Sequence, residues 1–279
     1  VTMASLKSVT IEGTGSGTSG SGEGSKGVIV DRTKMIMEEV RISNVAMGVE
    51  VTGEILAMKG GEIGFTGDYG ISLKEGGAAL KDVRMIYTGS NKTADFIKVV
   101  GGTVVAEGMI ITSTTDNGQG VSVTQKGHVV LIKPTYINVD KGMTVSDGTV
   151  RMFGGSMEFK GEHGISLSQG IAALMGVKIE GSGTGQEGIK LNEGMVDLYK
   201  TNIREVQKGM TITEGIVRME GGSVEFKGEY GVYLKKGGVA LKNVRITGPS
   251  NKGMGVIMQN GVGVVMMKEV DISKVQTGV

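Results

Sequence analysis

Apolar residues recur along the chain with a period of about 22 residues. Each repeat opens with a glycine, an apolar residue, a variable residue and a second apolar residue, and successive copies are 21 to 26 residues apart. The copies begin at Gly27, Gly48, Gly70, Phe96, Gly120, Gly142, Gly164, Gly188, Gly209, Gly231 and Gly255, where Phe96 replaces the glycine once. A period this regular predicts a solenoid in which each repeat forms one coil.

A second apolar phrase runs in step with the first. It consists of an apolar residue, two variable residues, an apolar residue or glycine, one variable residue and a final apolar residue. Its copies begin at Leu6, Met37, Met58, Leu80, Ala106, Met152, Leu174, Leu198, Met219, Leu241 and Met267. The alternation within each phrase is typical of strands, and the segments are too short and too rich in glycine for helices. Each repeat therefore supplies about three short strands.

A single repeat is too small to bury its own apolar face, so the coils must stack with their strands in parallel. We expect an all-β fold: one domain, residues 1–279, forming a right-handed parallel β-helix of about 11–12 coils. Equivalent inward positions should then stack along the axis. One expected inner column consists of Met37, Met58, Leu80, Met152, Leu174, Leu198, Met219 and Leu241.

Glycine dominates the composition, with 50 glycines beside 2 prolines and no tryptophan. The glycines do not fall at every third position, which excludes collagen, and regularly spaced apolar residues make disorder a poor description. We assign the glycines to turns. Residues 13–24 should form a flexible Gly/Ser-rich insertion loop.

Charge and cysteine content restrict the classes of function. The formal net charge is +1, which gives no general attraction for nucleic acid, and the chain has no cysteine for disulfides or thiolate metal sites. No apolar run is long enough to span a membrane, and the first residues do not resemble a signal peptide. We expect no nucleic-acid partner and no membrane insertion by this fragment, which would be a mature piece if the protein is exported.

Catalytic and metal chemistry finds little support in the residue pattern. The two histidines, His128 and His163, do not have metal-ligand spacing, so we expect no metal and no cofactor. The alternative enzyme hypothesis is a polysaccharide lyase or hydrolase, because Asp116, Asp140 and Glu162 fall near one corner of successive coils. We favour a non-enzyme.

A basic group with one tyrosine stands out in the last third of the chain. Its members are Lys227, Tyr233, Lys235, Lys236, Lys242 and Arg245. An aromatic side chain beside several cations suits contact with a receptor protein or a sulfated glycan. We take these six residues as the candidate site, with a matrix- or glycan-binding adhesin as a further alternative.

The repeats resemble a known family. The stretches "GISLKEGGAALKDVRM", "GISLSQGIAALMGVKI" and "GVYLKKGGVALKNVRITG", with coils reading "MKGGEIGF" and "MEGGSVEF", are similar to passenger domains of Bartonella autotransporters of the angiogenic type. The similarity runs from Gly27 onward. It implies a β-helical virulence factor that is secreted or displayed on the bacterial surface. It also implies binding to a vascular endothelial growth factor receptor on host endothelial cells, with proliferation as the outcome.

Overall fold

The computed structural model describes residues 3–14, 24–182, 186–259 and 263–279. These residues form 31 strands and no helix, so the described chain contains no helix that could cross a membrane. The strands pair in parallel in stacked coils, and the fold is a β-solenoid of about 11 turns with a period of about 22 residues. The all-β parallel solenoid predicted from the sequence is confirmed.

The chain was expected to form one domain, and the structure divides it into two compact units. Unit 1 is Val1–Asp140 and unit 2 is Lys141–Val279. Each unit is itself a solenoid built from three parallel sheets. Most of the predicted loop at residues 13–24 lies outside the described residues, since 15–23 are not described.

In unit 1 each strand pairs with the strand three places later. The first sheet contains β3 (Lys26–Asp31), β6 (Met47–Thr52), β9 (Tyr69–Lys74), β12 (Asp95–Val100) and β15 (Gln119–Thr124). The second contains β1 (Met3–Lys7), β4 (Lys34–Glu38), β7 (Ile55–Lys59), β10 (Gly77–Lys81), β13 (Thr103–Glu107) and β16 (Gly127–Ile132). The third contains β2 (Thr10–Glu12), β5 (Arg41–Val45), β8 (Glu62–Phe65), β11 (Arg84–Tyr87), β14 (Ile110–Ser113) and β17 (Thr135–Val139).

Unit 2 repeats this arrangement, with two long strands that continue around the corners and join all three sheets. These are β25 (Met195–Ile212) and β26 (Ile216–Leu234). The first sheet also contains β18 (Lys141–Val145), β21 (His163–Leu167), β24 (Glu187–Leu191) and β29 (Met254–Met258). The second also contains β19 (Gly148–Phe153), β22 (Ile171–Met175), β27 (Gly237–Lys242) and β30 (Gly263–Lys268). The third also contains β20 (Ser156–Phe159), β23 (Lys178–Gly181), β28 (Arg245–Thr247) and β31 (Asp271–Ser273).

The predicted inner column forms the lining of the second sheet in both units. Its members lie directly opposite each other on neighbouring strands, as Met37 does with Met58 and Leu198 with Met219. All eight predicted residues are at most 3% exposed. Because like residues stack on like, each coil buries the apolar face of the next.

Glycine has two different roles, and only one of them was expected. In the repeated Gly-Gly pairs the second glycine adopts a left-handed φ, 85° at Gly61, 87° at Gly155 and 90° at Gly222, so these glycines do form turns. The glycines that open the repeats do not adopt a left-handed φ. At Gly164 an added Cβ would lie 2.8 Å from the carbonyl oxygen of Gly188 and 2.6 Å from Ile179 Cγ2. These glycines therefore allow neighbouring coils to approach closely.

Candidate functional site

The structure distributes the six predicted site residues over all three sides of unit 2. Tyr233 lies on the first sheet, whereas Lys242 ends a strand of the second sheet and Arg245 begins a strand of the third. Lys227 lies in the part of β26 that connects the segment paired in the third sheet with the segment paired in the first sheet. Lys235 and Lys236 form the turn between β26 and β27. The six side chains therefore do not form one patch.

Ion pairs with neighbouring coils neutralise most of the predicted cations. Lys227 binds Glu205, and Lys236 lies 2.7 Å from Glu214. The other pairs are Lys242–Glu220 at 2.8 Å and Arg245–Asp271 at 4.0 Å. The Tyr233 hydroxyl donates to Gln259. Among the described residues Lys235 alone of the five cations has no ion pair, so the basic character inferred from the sequence is largely cancelled.

Two carboxylates of the alternative enzyme hypothesis, Asp140 and Glu162, also have lysine partners. Asp140 in unit 1 is buried and lies 3.7 Å from Lys92. Glu162 in unit 2 lies 3.0 Å from Lys141, and the hydrogen bond and charge of this lysine lower the pKa of the carboxyl. Asp116 occupies a left-handed turn position with a φ of 58°. In the described part of the chain no group of three His, Asp or Glu side chains is arranged to hold a metal ion.

The two histidines lie in different settings. His163 opens β21 and is only 6% exposed, with Nε2 3.1 Å from the Thr144 hydroxyl oxygen. Burial, reinforced by the charge of Lys141, lowers its pKa to about 4, so the imidazole is neutral at physiological pH. His128 is exposed on the outer face of the second sheet of unit 1.

The sequence reasoning missed an apolar groove on the outer face of the second sheet of unit 2. The groove crosses six successive strands, β19, β22, β25, β26, β27 and β30, and has a volume of about 590 Å³. Its exposed walls include Phe153 (39%), Met175 (48%), Tyr199 (42%) and Met266 (61%). Large apolar side chains gathered on one outer face are typical of a contact surface.

Small residues open the floor of this groove. Ala173 and Ala240 occupy outward positions that Arg151 and Arg218 fill on the adjoining strands. Two short side chains in a row of long ones leave depressions between the walls. The groove therefore arises from the alternation of residue size from coil to coil.

The charged groups in the groove form ion pairs, with one exception among the described residues. Glu220 binds Lys242, and Arg218 lies 3.8 Å from Asp197 Oδ1, too far for a hydrogen bond. That oxygen is buried and accepts no hydrogen bond from the described residues. Lys268 lines the groove without an ion pair in the described part of the chain. The groove lining thus has an excess positive charge.

Unit 1 has a smaller groove on the equivalent face. It is lined by Ile36, Ala57, Ala79, Val105 and Ile132, with Glu38, Lys59, Lys81 and Glu107 beside them, and its volume is about 400 Å³. Its floor is again made of alanines, but it contains no aromatic side chain. The groove of unit 2 is therefore the more suitable surface for anchoring a partner.

One signal in the sequence could have pointed to the groove. In "IAALM", 171–175, and "VVMM", 264–267, apolar residues also fill the outward positions between the inward ones. Strict alternation with polar residues is expected where one face meets water, so a continuous apolar run in such a strand indicates a second contact face. No known family model, curated protein or solved structure matches the chain.

Proposed function

We propose that this chain is a secreted, non-enzymatic binding protein that uses the groove of unit 2 to contact a protein receptor on the host cell surface. The observation that carries the proposal is the gathering of Phe153, Met175, Tyr199 and Met266 on one outer face of a parallel sheet. Aromatic residues and methionine are enriched in the centres of protein interfaces, and lysine and glutamate are depleted there.

The proposed receptor is a vascular endothelial growth factor receptor on endothelial cells, and the proposed outcome is cell proliferation and angiogenesis. The support for this choice is the resemblance of the repeats to angiogenic Bartonella passenger domains. The solenoid is compatible with that choice and does not select one receptor. The groove provides a contact surface that the six residues around Lys235 do not provide, because ion pairs neutralise most of their cations.

The experiment measures receptor phosphorylation and binding of the purified chain to endothelial cells. Ala240→Arg places a long cation in the groove floor, where the native Arg218 on the adjoining strand shows that the register accepts arginine. We expect at least tenfold weaker binding for this variant. Thr112→Arg, at an outward position on the third sheet of unit 1, is the matched control and should bind like the native chain. Absence of binding and phosphorylation by the native chain at saturating dose would exclude the proposed function.

A further inference from the structure

We infer that the partner segment in the groove of unit 2 is an amphipathic α-helix with acidic residues along one edge of its apolar face. This inference rests on the proposed function and specifies the partner's chemistry. It follows from three features of the groove: hydrogen bonding of its floor, its dimensions and its charge.

The floor of the groove offers a partner no backbone hydrogen bonds. Its inner strands β22, β25, β26 and β27 each pair with a strand on both sides, so the peptide groups are used within the sheet. An extended peptide lying on this apolar face would bury N–H and C=O groups without partners, at a cost of about 1–3 kcal/mol each. A helix satisfies its own backbone groups and presents only side chains. The floor therefore favours a helix.

The dimensions of the groove fit a short helix. Six strands at about 4.8 Å spacing span roughly 24 Å, which is the length of a helix of about 16 residues. One helical turn rises about 5.4 Å, close to the spacing of the strands, so successive turns can place side chains over successive coils. Met175, Met266 and Met267 supply the adaptable thioether side chains that are used where an amphipathic helix lies in a hydrophobic groove.

The charges around the groove determine which charged residues the helix should carry beside its apolar face. Lys268 has no ion pair in the described chain, and Lys200 is exposed, with Nζ 5.2 Å from the centre of the Tyr199 ring. Both lysines lie where the strands of the second sheet end, since Lys268 is in the same row of the sheet as Tyr199 and Lys200 follows Tyr199. Carboxylates along one edge of the partner helix would pair with them.

The test uses fluorescence anisotropy with the full chain and three labelled peptides of about 16 residues. The first is an amphipathic helix with glutamates along one edge of its apolar face, the second carries lysines at those positions, and the third is the first peptide with two central prolines that prevent a helix. We expect the glutamate peptide to bind at least tenfold more tightly than either of the others. Equal binding of the three peptides, or tighter binding of the proline peptide, would overturn the helix.

Two variants test where the peptide binds and which charge the groove prefers in it. Ala240→Arg should weaken binding of the glutamate peptide at least tenfold, and Lys268→Glu should weaken it while improving the lysine peptide. Lys178→Glu, at an exposed position on the third sheet, is the charge-matched control and should leave both peptides unchanged. Unchanged binding in Ala240→Arg would place the peptide elsewhere and overturn the inference.

Failure of the inference is distinguishable from failure of the proposed function. Suppose that Ala240→Arg loses receptor binding and that the three peptides show no preference for a helix. This result overturns only the helical partner. Absence of receptor binding by the native chain overturns the proposed function, whatever the peptides do.

Discussion

At the scale of single residues, stacking depends on glycines that have no need of an unusual backbone conformation. Gly164 lies inside a strand, and its missing side chain leaves room for the backbone of the next coil. Gly238 is also a strand glycine, but the nearest atom to a Cβ added there is 3.9 Å away, at the Val264 carbonyl oxygen. Neither residue has a left-handed φ. Substitutions at these two positions can therefore distinguish two effects. At Gly164 a side chain would disturb the contact between coils, whereas at Gly238 it would change only the intrinsic preference of the strand for other residues over glycine.

We expect Gly164→Ala to reduce the free energy of unfolding by roughly 2–3 kcal/mol, because the clash is with a backbone carbonyl that cannot move without shifting a coil. Gly238→Ala should be neutral or slightly stabilising, since alanine loses less backbone entropy on folding. Urea unfolding followed by circular dichroism measures both. Equal stability of the two variants would contradict the close-approach role of the repeat glycine.

Two buried tyrosines of unit 1 differ in how their hydroxyl groups are satisfied. Tyr87 donates to the Asn91 carbonyl at 3.1 Å and accepts from the Asn91 N–H at 2.9 Å. The Tyr136 hydroxyl is buried and makes no hydrogen bond with the described residues. Burial raises the pKa of both phenols, which keeps them neutral.

Removal of these hydroxyl groups should change stability in opposite directions. We expect Tyr136→Phe to raise the free energy of unfolding by about 1 kcal/mol, because it removes a buried polar group without a partner. Tyr87→Phe should lower it by about 1 kcal/mol, because it leaves the Asn91 N–H without the acceptor that the Tyr87 hydroxyl provides. Thermal and urea unfolding of the two variants supply the comparison, and destabilisation of Tyr136→Phe would show that its hydroxyl has a partner in solution.

His163 makes the stability of the chain depend on pH. Its pKa is lowered from 6.5 to about 4 in the folded state, so the unfolded chain takes up the proton first as the pH falls. The stability that neutral His163 contributes is complete above pH 6.5 and is lost between pH 6.5 and about 4. A shift of this size corresponds to a loss on the order of 3 kcal/mol.

Replacement of His163 by glutamine should remove this component of the pH dependence. Gln119 opens the equivalent strand β15 in unit 1, which shows that the repeat accepts glutamine there. Urea unfolding at several pH values gives the free energy of unfolding of the native chain and of His163→Gln. We expect the native value minus the variant value to be smaller at pH 4.5 than at pH 7.5. A difference that stays constant over this range would mean that His163 is not buried as described.

At the scale of strands and sheets, the sequence predicted the inward side of the fold better than the outward side. Burial requires apolar residues at fixed spacing, so Met37, Met58 and Leu80 revealed both the period and the register. Outward positions are free to vary, and their grouping depends on which strands become neighbours. The six residues from Lys227 to Arg245 are close in sequence, but the three-sided coil directs them to different faces. The groove instead unites residues from Phe153 to Lys268, which only the stacking of coils brings together.

The pairing of charges also escaped prediction from sequence order. Lys236 and Lys242 each lie one coil away from the glutamate that neutralises them, at Glu214 and Glu220. An ion pair across coils joins residues about 22 positions apart, so a local count of cations overstates the charge of the surface. Exposed pairs of this kind contribute only a few tenths of a kcal/mol to about 1 kcal/mol to stability. We expect these pairs to weaken the attraction of this region for sulfated glycans, because they cancel its positive charge.

At the scale of the whole molecule, the chain consists of two solenoid units that each carry a groove on the second sheet. No feature of the sequence marks a boundary at Asp140, because the repeat continues through it without a linker. The period was nevertheless sufficient to predict the class of fold. Function depends on the outer faces, where aromatic and methionine side chains distinguish the groove of unit 2 from its counterpart in unit 1.

Methionine oxidation tests most directly whether the groove of unit 2 is the receptor-binding surface. Exposed thioethers are converted to sulfoxides by dilute peroxide, and a bound partner slows the reaction. Met175 and Met266 lie in the groove at 48% and 61% exposure, whereas Met258 is 46% exposed and does not line it. With the receptor ectodomain present, we predict slower oxidation of Met175 and Met266 and an unchanged rate at Met258, measured by mass spectrometry of peptides. Unchanged rates at Met175 and Met266 under conditions of saturated receptor binding would contradict the account.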